Sequence, residues 1–345
     1  MSDRSERFAR VLVRSGTDYV LKGYVPVQPD GSVLFEVPAN SDYQFEIVNK
    51  VAKALNQMQN SSYDYQYFTR FSGSAGAVGQ TTEHSIAGAT SNSGAAAANA
   101  AWSGANDSIK SVSAGDTMAQ ALQAHLMAQG QNIAWPNRDL IYQDYWTPEG
   151  VTETPAISIS YDQLATAAPM TVACEQSWTD DCSIALSYEA NIQPLWQAGN
   201  RDDAGNACSD CHDDRGFTNL NLLADLNGAG LLASYDRLFA QESSYMFLLN
   251  GYSPVNVSSC RRTLHPPLSF QPQNDCFTCY SQSYMNANGA ILSANFFDLF
   301  DADADDDHSF FRPQASQAVR DQHRGMLNDS ELRTIAEWLD MQAPR

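Results

Sequence analysis

The chain has 345 residues, 43% hydrophobic and 17% charged, enough apolar material for a sizeable core and for two or three domains. Its 40 acidic residues against 20 basic ones give a net charge of −20, which argues against nucleic acid or an anionic membrane face as a partner. No apolar run reaches the length of a membrane span.

Residues 1–16 carry Arg4, Arg7, Arg10 and Arg14 and no apolar h-region, so they do not read as a signal peptide. Residues 18–48 read as strands. Tyr19, Leu21, Tyr24, Val25 and Val27 lead into the turn Pro29-Asp30-Gly31, and Val33, Phe35 and Val37 then alternate with the positions between them, one face buried. A second turn, Pro38 to Ser41, precedes a further alternation of Tyr43, Phe45 and Ile47, completing a small antiparallel β module over residues 1–71. Residues 72–116 are rich in Gly, Ala, Ser and Asn and read as a long loop or linker, with His84 a solvated residue on it.

Residues 117–183 form a mixed connecting region. Residues 117–129 have helical spacing after Asp116 as a cap, with His125 on the helix surface. Tyr142, Tyr145 and Trp146 run into a turn at Thr147 to Gly150, and Ile157 and Ile159 alternate as a short strand. Cys174 and Cys182 bracket a short polar loop and are expected to pair as a disulfide, which implies an oxidising compartment.

The run Cys208-Ser209-Asp210-Cys211-His212 is the most informative stretch, because Cys-x-x-Cys-His is the attachment signature of a c-type haem. Two thiols at that spacing add across the two vinyl groups of one haem, and the next residue supplies an imidazole beneath the iron. A zinc site would need two more ligands at short spacing, and the next Cys-x-x-Cys lies far downstream without a His. Cys208, Cys211 and His212 are therefore the expected residues binding one covalent haem c. Upstream, Tyr188, Ile192, Leu195 and Trp196 share a helical face; downstream, Leu220, Leu222, Leu223 and Leu226 precede a helix over residues 231–239. These read as walls of a haem pocket in a domain over residues 184–345.

Residues 250–322 read as loop rich. Cys276-Phe277-Thr278-Cys279-Tyr280 has the thiol spacing but Tyr where His is needed, so it reads as a disulfide or free thiols and not as a second haem site. Cys260, Cys276 and Cys279 are an odd set, and their pairing is open. The acidic run Asp301 to Asp307 lacks the Gly and Glu of a calcium loop, so it reads as a solvated loop, with calcium the weak alternative. The last segment is the clearest helix: Asn328 and Glu331 make a capping box, and Leu332, Ile335, Ala336 and Leu339 form its apolar stripe. His323, just before this helix, is the first choice for the distal iron ligand and Met326 the alternative. His265, Met246 and His308 rank lower.

Several stretches resemble proteins related to the α subunit of hydrazine synthase. Gly23 to Ser32 and Val37-Pro38-Ala39 look like a module of that group, Tyr188 to Trp196 like the entry helix of its cytochrome c-type domains, and His323 to Leu327 with Glu331-Leu332-Arg333 and Trp338-Leu339-Asp340 like their closing segment. The resemblance favours His as the distal ligand. The chain departs from the group in having no β-propeller before the β module and no Cys before Cys174, so neither a further haem nor the hydrazine-forming chemistry carries over.

The expectation is thus an α+β protein: a small antiparallel β module followed by a mostly α-helical, cytochrome c-like haem domain with long loops. It would be a monohaem module carrying single electrons to or from a redox partner protein, with no membrane span. Alternatives are a haem oxidoreductase acting on a small nitrogen or oxygen species, and a surface or assembly domain with structural haem; an electron-transfer module is favoured over a catalyst. Haem attachment takes place outside the cytoplasm, so a periplasmic or extracellular location follows. Met1 is then expected not to be the native start, other domains of a longer parent chain being the natural partners.

Overall fold

The computed structural model describes residues 7–15, 18–37, 42–55, 69–70, 109, 116–147, 150, 152–213, 220–239, 243–247, 259–262, 276–280, 284–287, 289–300 and 317–345. The architecture is α+β, in two compact units, Met1–Leu186 and Ser187–Arg345.

The first unit is built on an antiparallel sheet of order β2-β1-β3-β4, from β1 (Arg7–Ser15), β2 (Asp18–Pro26), β3 (Asp42–Asn49) and β4 (Thr69–Arg70). The inner strand β1 went unread in the sequence because its arginines broke the apolar pattern. Phe8, Ala9 and Val11 are fully buried beside Arg10, itself 0% exposed. Arg10 lies opposite Glu46 in the β1–β3 register, and its Nε donates to Glu46 Oε2 at 3.1 Å. The cross-strand pairing supplies the counter-charge that lets a cation be buried.

A bulge in the β1–β2 register lies between Val11 and Leu12, opposite Gly23 and Leu21. Gly23 has φ +126°, and a Cβ there would stand 2.4 Å from the Asn137 carbonyl oxygen. Only glycine allows the Tyr24 N–H to reach that carbonyl at 2.7 Å.

Residues 33–37, read as a strand, are not one. Phe35 instead stacks its ring against Tyr43 and Phe45, at 5.7 and 5.4 Å, so the alternation records packing on the sheet and not membership of it. Helix α1 (Met118–Met127) is capped by Thr117 in a reciprocal box with Gln120, not by Asp116. Its apolar face, Met118, Leu122 and Leu126, packs with Ile109 and Trp146. The short strand at residues 157–159 forms as expected: β5 (Leu140–Tyr142) pairs with β6 (Ile157–Ile159). Cys174, in α2 (Val172–Gln176), is joined to Cys182 by a disulfide with Cα atoms 5.6 Å apart.

In the second unit a π-helical turn, Tyr188–Ile192, runs into α3 (Gln193–Gln197). Then come α4 (Cys208–Cys211), α5 (Ala233–Phe239), β7 (Ser243–Phe247), β8 (Ser259–Arg262) and β9 (Cys276–Tyr280). A 3₁₀ turn, Ala290–Ser293, leads to α6 (Ala294–Phe297), α7 (Gln317–His323) and α8 (Asp329–Asp340). Of the antiparallel sheet of order β7-β9-β8, strands β8 and β9 lie where the sequence reads as loop rich, since a strand such as Ser-Cys-Arg-Arg carries no apolar alternation. The core forms around α8, whose Ile335, Trp338 and Leu339 are fully buried. Trp338 stands 5.4 Å from Tyr188 and 5.7 Å from Phe239, ring to ring. Among the described residues no helix is long and apolar enough to cross a membrane.

Candidate functional site

The Cys-x-x-Cys-His run is a single helical turn. Asp210 Oδ2 accepts from the Ala207 N–H at 2.8 Å, closing the start of α4, and the His212 N–H donates to the Cys208 carbonyl at 2.9 Å, closing its end. That turn brings Cys208, Cys211 and His212 together in space as they are in sequence. Cys208 and Cys211 are both free, Cys208 half-buried and Cys211 exposed. Burial pushes the Cys208 thiol up to about 11, with Arg201 opposing that shift and Glu331 adding to it. It is a neutral thiol at ordinary pH, unlike the depressed thiolate of a redox Cys-x-x-Cys.

His212 is held from both sides. The Leu222 N–H donates to its backbone carbonyl at 2.8 Å, and its ring hydrogen-bonds the Leu220 backbone carbonyl. Gln193 Nε2 in turn donates to the Leu222 carbonyl at 2.9 Å, while Gln193 Oε1 accepts from Ser234 Oγ. Burial, then the neighbouring His323, hold the His212 imidazolium below its usual range, against the pull of the Leu220 carbonyl. The ring is kept neutral, the form that ligates a metal.

His323 ends α7, and its ring centroid lies 6.0 Å from that of His212, the planes tilted by 43°. Its Nδ1 is 2.8 Å from the Val319 carbonyl. A carbonyl only accepts, so Nδ1 carries a proton, and Nε2 is the nitrogen that could ligate a metal. Two metal–nitrogen bonds of about 2.0–2.1 Å, with each nitrogen roughly 1.1 Å from its ring centre, put two trans imidazoles about 6 Å apart, centre to centre. The observed separation matches that value, and each ring has a backbone carbonyl as a hydrogen-bond acceptor, the kind of outer contact that orients a ligating His. His212 and His323 are therefore the residues that could hold an iron. No family model, curated protein or solved structure matches this chain.

The wall beside the histidines is aromatic. Phe300 meets His323 edge-on at 6.0 Å, Phe296 meets Phe300 at 5.0 Å, and Trp196 meets Phe296 at 6.2 Å. Trp196 was foreseen as a wall; Phe296 and Phe300 were missed, although the apolar density of Asn295-Phe296-Phe297-Asp298-Leu299-Phe300 was a usable signal.

Arg201, also missed, joins the two ends of the site. Its Nη1 lies 2.6 Å from Glu331 Oε2 and 3.2 Å from the Met326 carbonyl, and its Nη2 lies 3.0 Å from the Leu195 carbonyl. Met326 is thereby held by its backbone, its N–H donating to the His323 carbonyl at 3.1 Å.

Of the lesser candidates, His125 lies on the face of α1 beside Gln129 at 2.9 Å, within the first unit. His84, His265, His308 and the acidic run Asp301 to Asp307 lie outside the described residues, and Met246 is placed only by its backbone on β7. Among the described residues no three His, Cys, Asp or Glu side chains converge as a protein-only metal site requires. A haem differs in needing two protein ligands at most, since the porphyrin fills the other four positions.

Proposed function

We propose that this protein is a monohaem c-type cytochrome module that carries single electrons, working outside the cytoplasm with a redox partner protein. The observation that carries the reading is the His212–His323 pair, 6.0 Å apart, built directly onto a Cys-x-x-Cys-His turn. Cys208 and Cys211 would anchor the group covalently, and His212 and His323 would take its two axial positions. A haem held in this way supplies a one-electron couple.

The protein residues define what that couple can do. With His212 and His323 both holding the iron, no position would be left for a substrate, which favours electron transfer over catalysis. The Leu220 and Val319 carbonyls would orient the two rings, and Phe300, backed by Phe296, packs edge-on against the His323 ring. Imidazole on both faces stabilises the ferric state more than a His/Met pair does, so a low potential is expected. The net charge of −20 favours a partner with a cationic docking face.

The test is a pyridine haemochrome spectrum with an intact mass, on protein matured in a host that attaches c-type haem. One covalent haem per chain, lost or weakened in Cys208→Ala, is the expected result. A bare polypeptide after competent maturation overturns the reading.

A further inference from the structure

The second unit contains three cysteines whose pairing the sequence leaves open, and the register of its sheet decides among them. We propose that Cys260 and Cys279 form a cross-strand disulfide joining β8 to β9, and that Cys276 remains a thiol.

The argument is one of position along the strands. In the β8–β9 register Cys260 lies directly opposite Cys279, between the pairs Ser259–Tyr280 and Arg261–Thr278. Directly opposed residues of an antiparallel pair share a face, with Cα atoms about 4.5 or 5.5 Å apart depending on which of the two alternating positions they occupy. Both values fall within the roughly 4.4–6.8 Å that a disulfide spans.

The other two pairings fail on the same geometry. Cys276 and Cys279 lie three residues apart on one strand, which puts them on opposite faces and about 10 Å from one another at a strand rise of ~3.4 Å per residue. A disulfide is excluded when the Cα atoms are more than about 7 Å apart. Cys276 is opposed by Phe247 of β7 on one side, and on the other it lies beyond Arg262, the last residue of β8, which faces Phe277. Cys260 is thus three register positions from Cys276 and on the other face, again roughly 10 Å or more away.

The chain already carries one disulfide, Cys174–Cys182, so an oxidising compartment that forms the first can form the second. In the step, one thiolate of the pair attacks a disulfide of an extracytoplasmic thiol oxidase, and the second thiolate displaces the oxidase sulfur. The two cysteines lose two protons and two electrons, and the oxidase disulfide leaves as a dithiol. The bridge would fix the register of β8 on β9, two short strands that have little apolar alternation to set it.

The experiment is disulfide mapping of the full chain, exported to an oxidising compartment, alkylated without reduction and cut with trypsin and chymotrypsin. Chymotrypsin cleaves after Phe277 and so separates Cys276 from Cys279. The expected products are a linked pair of peptides holding Cys260 and Cys279, and an alkylated peptide holding Cys276. The linkage should survive in Cys276→Ser and vanish in Cys279→Ser. A Cys260–Cys276 or Cys276–Cys279 linkage, or free alkylation of all three, overturns the proposal. These peptides do not include Cys208 or Cys211, so the result is independent of whether haem is attached.

Discussion

Arg201 and Glu331 form an ion pair at 2.6 Å with side chains only 8% and 0% exposed, joining the segment before the Cys-x-x-Cys-His turn to the start of α8. The same carboxylate oxygen accepts the Asn328 N–H at 3.0 Å, and Asn328 Oδ1 accepts the Glu331 N–H at 3.1 Å. One carboxylate therefore caps a helix and balances a buried cation. Removing Arg201 alone would leave that charge buried without its partner, which costs about 3–5 kcal/mol. Arg201→Ala should lower the stability of the second unit by that amount in urea melts, and Arg201→Met with Glu331→Gln should recover part of it. A loss under about 1 kcal/mol for Arg201→Ala would show that the pair is not a structural tie.

His323→Ala should convert the haem protein from low-spin to high-spin, as read by electronic absorption and paramagnetic resonance, and external imidazole should restore the low-spin form. Met326→Leu should leave the spectrum unchanged, because it is the His323 ring that stands 6.0 Å from His212. A low-spin spectrum that persists in His323→Ala and is lost in Met326→Leu would move the axial role to the methionine.

Tyr188 is buried against Tyr235 and Trp338, and burial pushes its phenol up to about 12. Its hydroxyl has Ser234 and Trp196 as polar neighbours, but neither is in hydrogen-bonding geometry. The unfolded phenol ionises near pH 10 while the folded one does not, so between about pH 10 and 12 the folded state holds the extra proton. Stability must then fall as pH rises through that window, by roughly 2–3 kcal/mol from this group. Tyr188→Phe should flatten that part of the alkaline denaturation profile and cost little at neutral pH, since an unpaired buried hydroxyl is removed. An unchanged alkaline slope in the variant would refute the assignment.

Cys182→Ser should destabilise the first unit by roughly 2–3 kcal/mol, the loop-closure value for a bridge whose partners are eight residues apart. The effect should come chiefly through the unfolded chain. In the folded state Lys22 Nζ also holds this loop, donating to the Asp180 and Cys182 carbonyls at 2.9 and 2.8 Å. Comparing the urea midpoints of variant and parent, both reduced, checks this: the two should coincide.

The sequence by itself determined what depends on neighbours in the chain. The Cys-x-x-Cys-His turn, the Asn328–Glu331 capping box, the apolar stripe of α8, the strand at Ile157–Ile159 and the short Cys174–Cys182 bridge are all local patterns. A helix cap or a strand alternation follows from residues a few positions apart, so periodicity and spacing suffice to read it. Strand β1 escaped because its arginines interrupt the alternation, and only the cross-strand Glu46, 36 positions away, makes Arg10 tolerable in a core. Thr117 displaced Asp116 as the cap of α1 because the reciprocal bond with Gln120 depends on where the chain turns in. The tertiary structure alone brought His323 to 6.0 Å from His212 across more than a hundred residues, and alone set Cys260 opposite Cys279. Such meetings are decided by which buried surfaces pack together, a property of the whole second unit that no window of sequence contains.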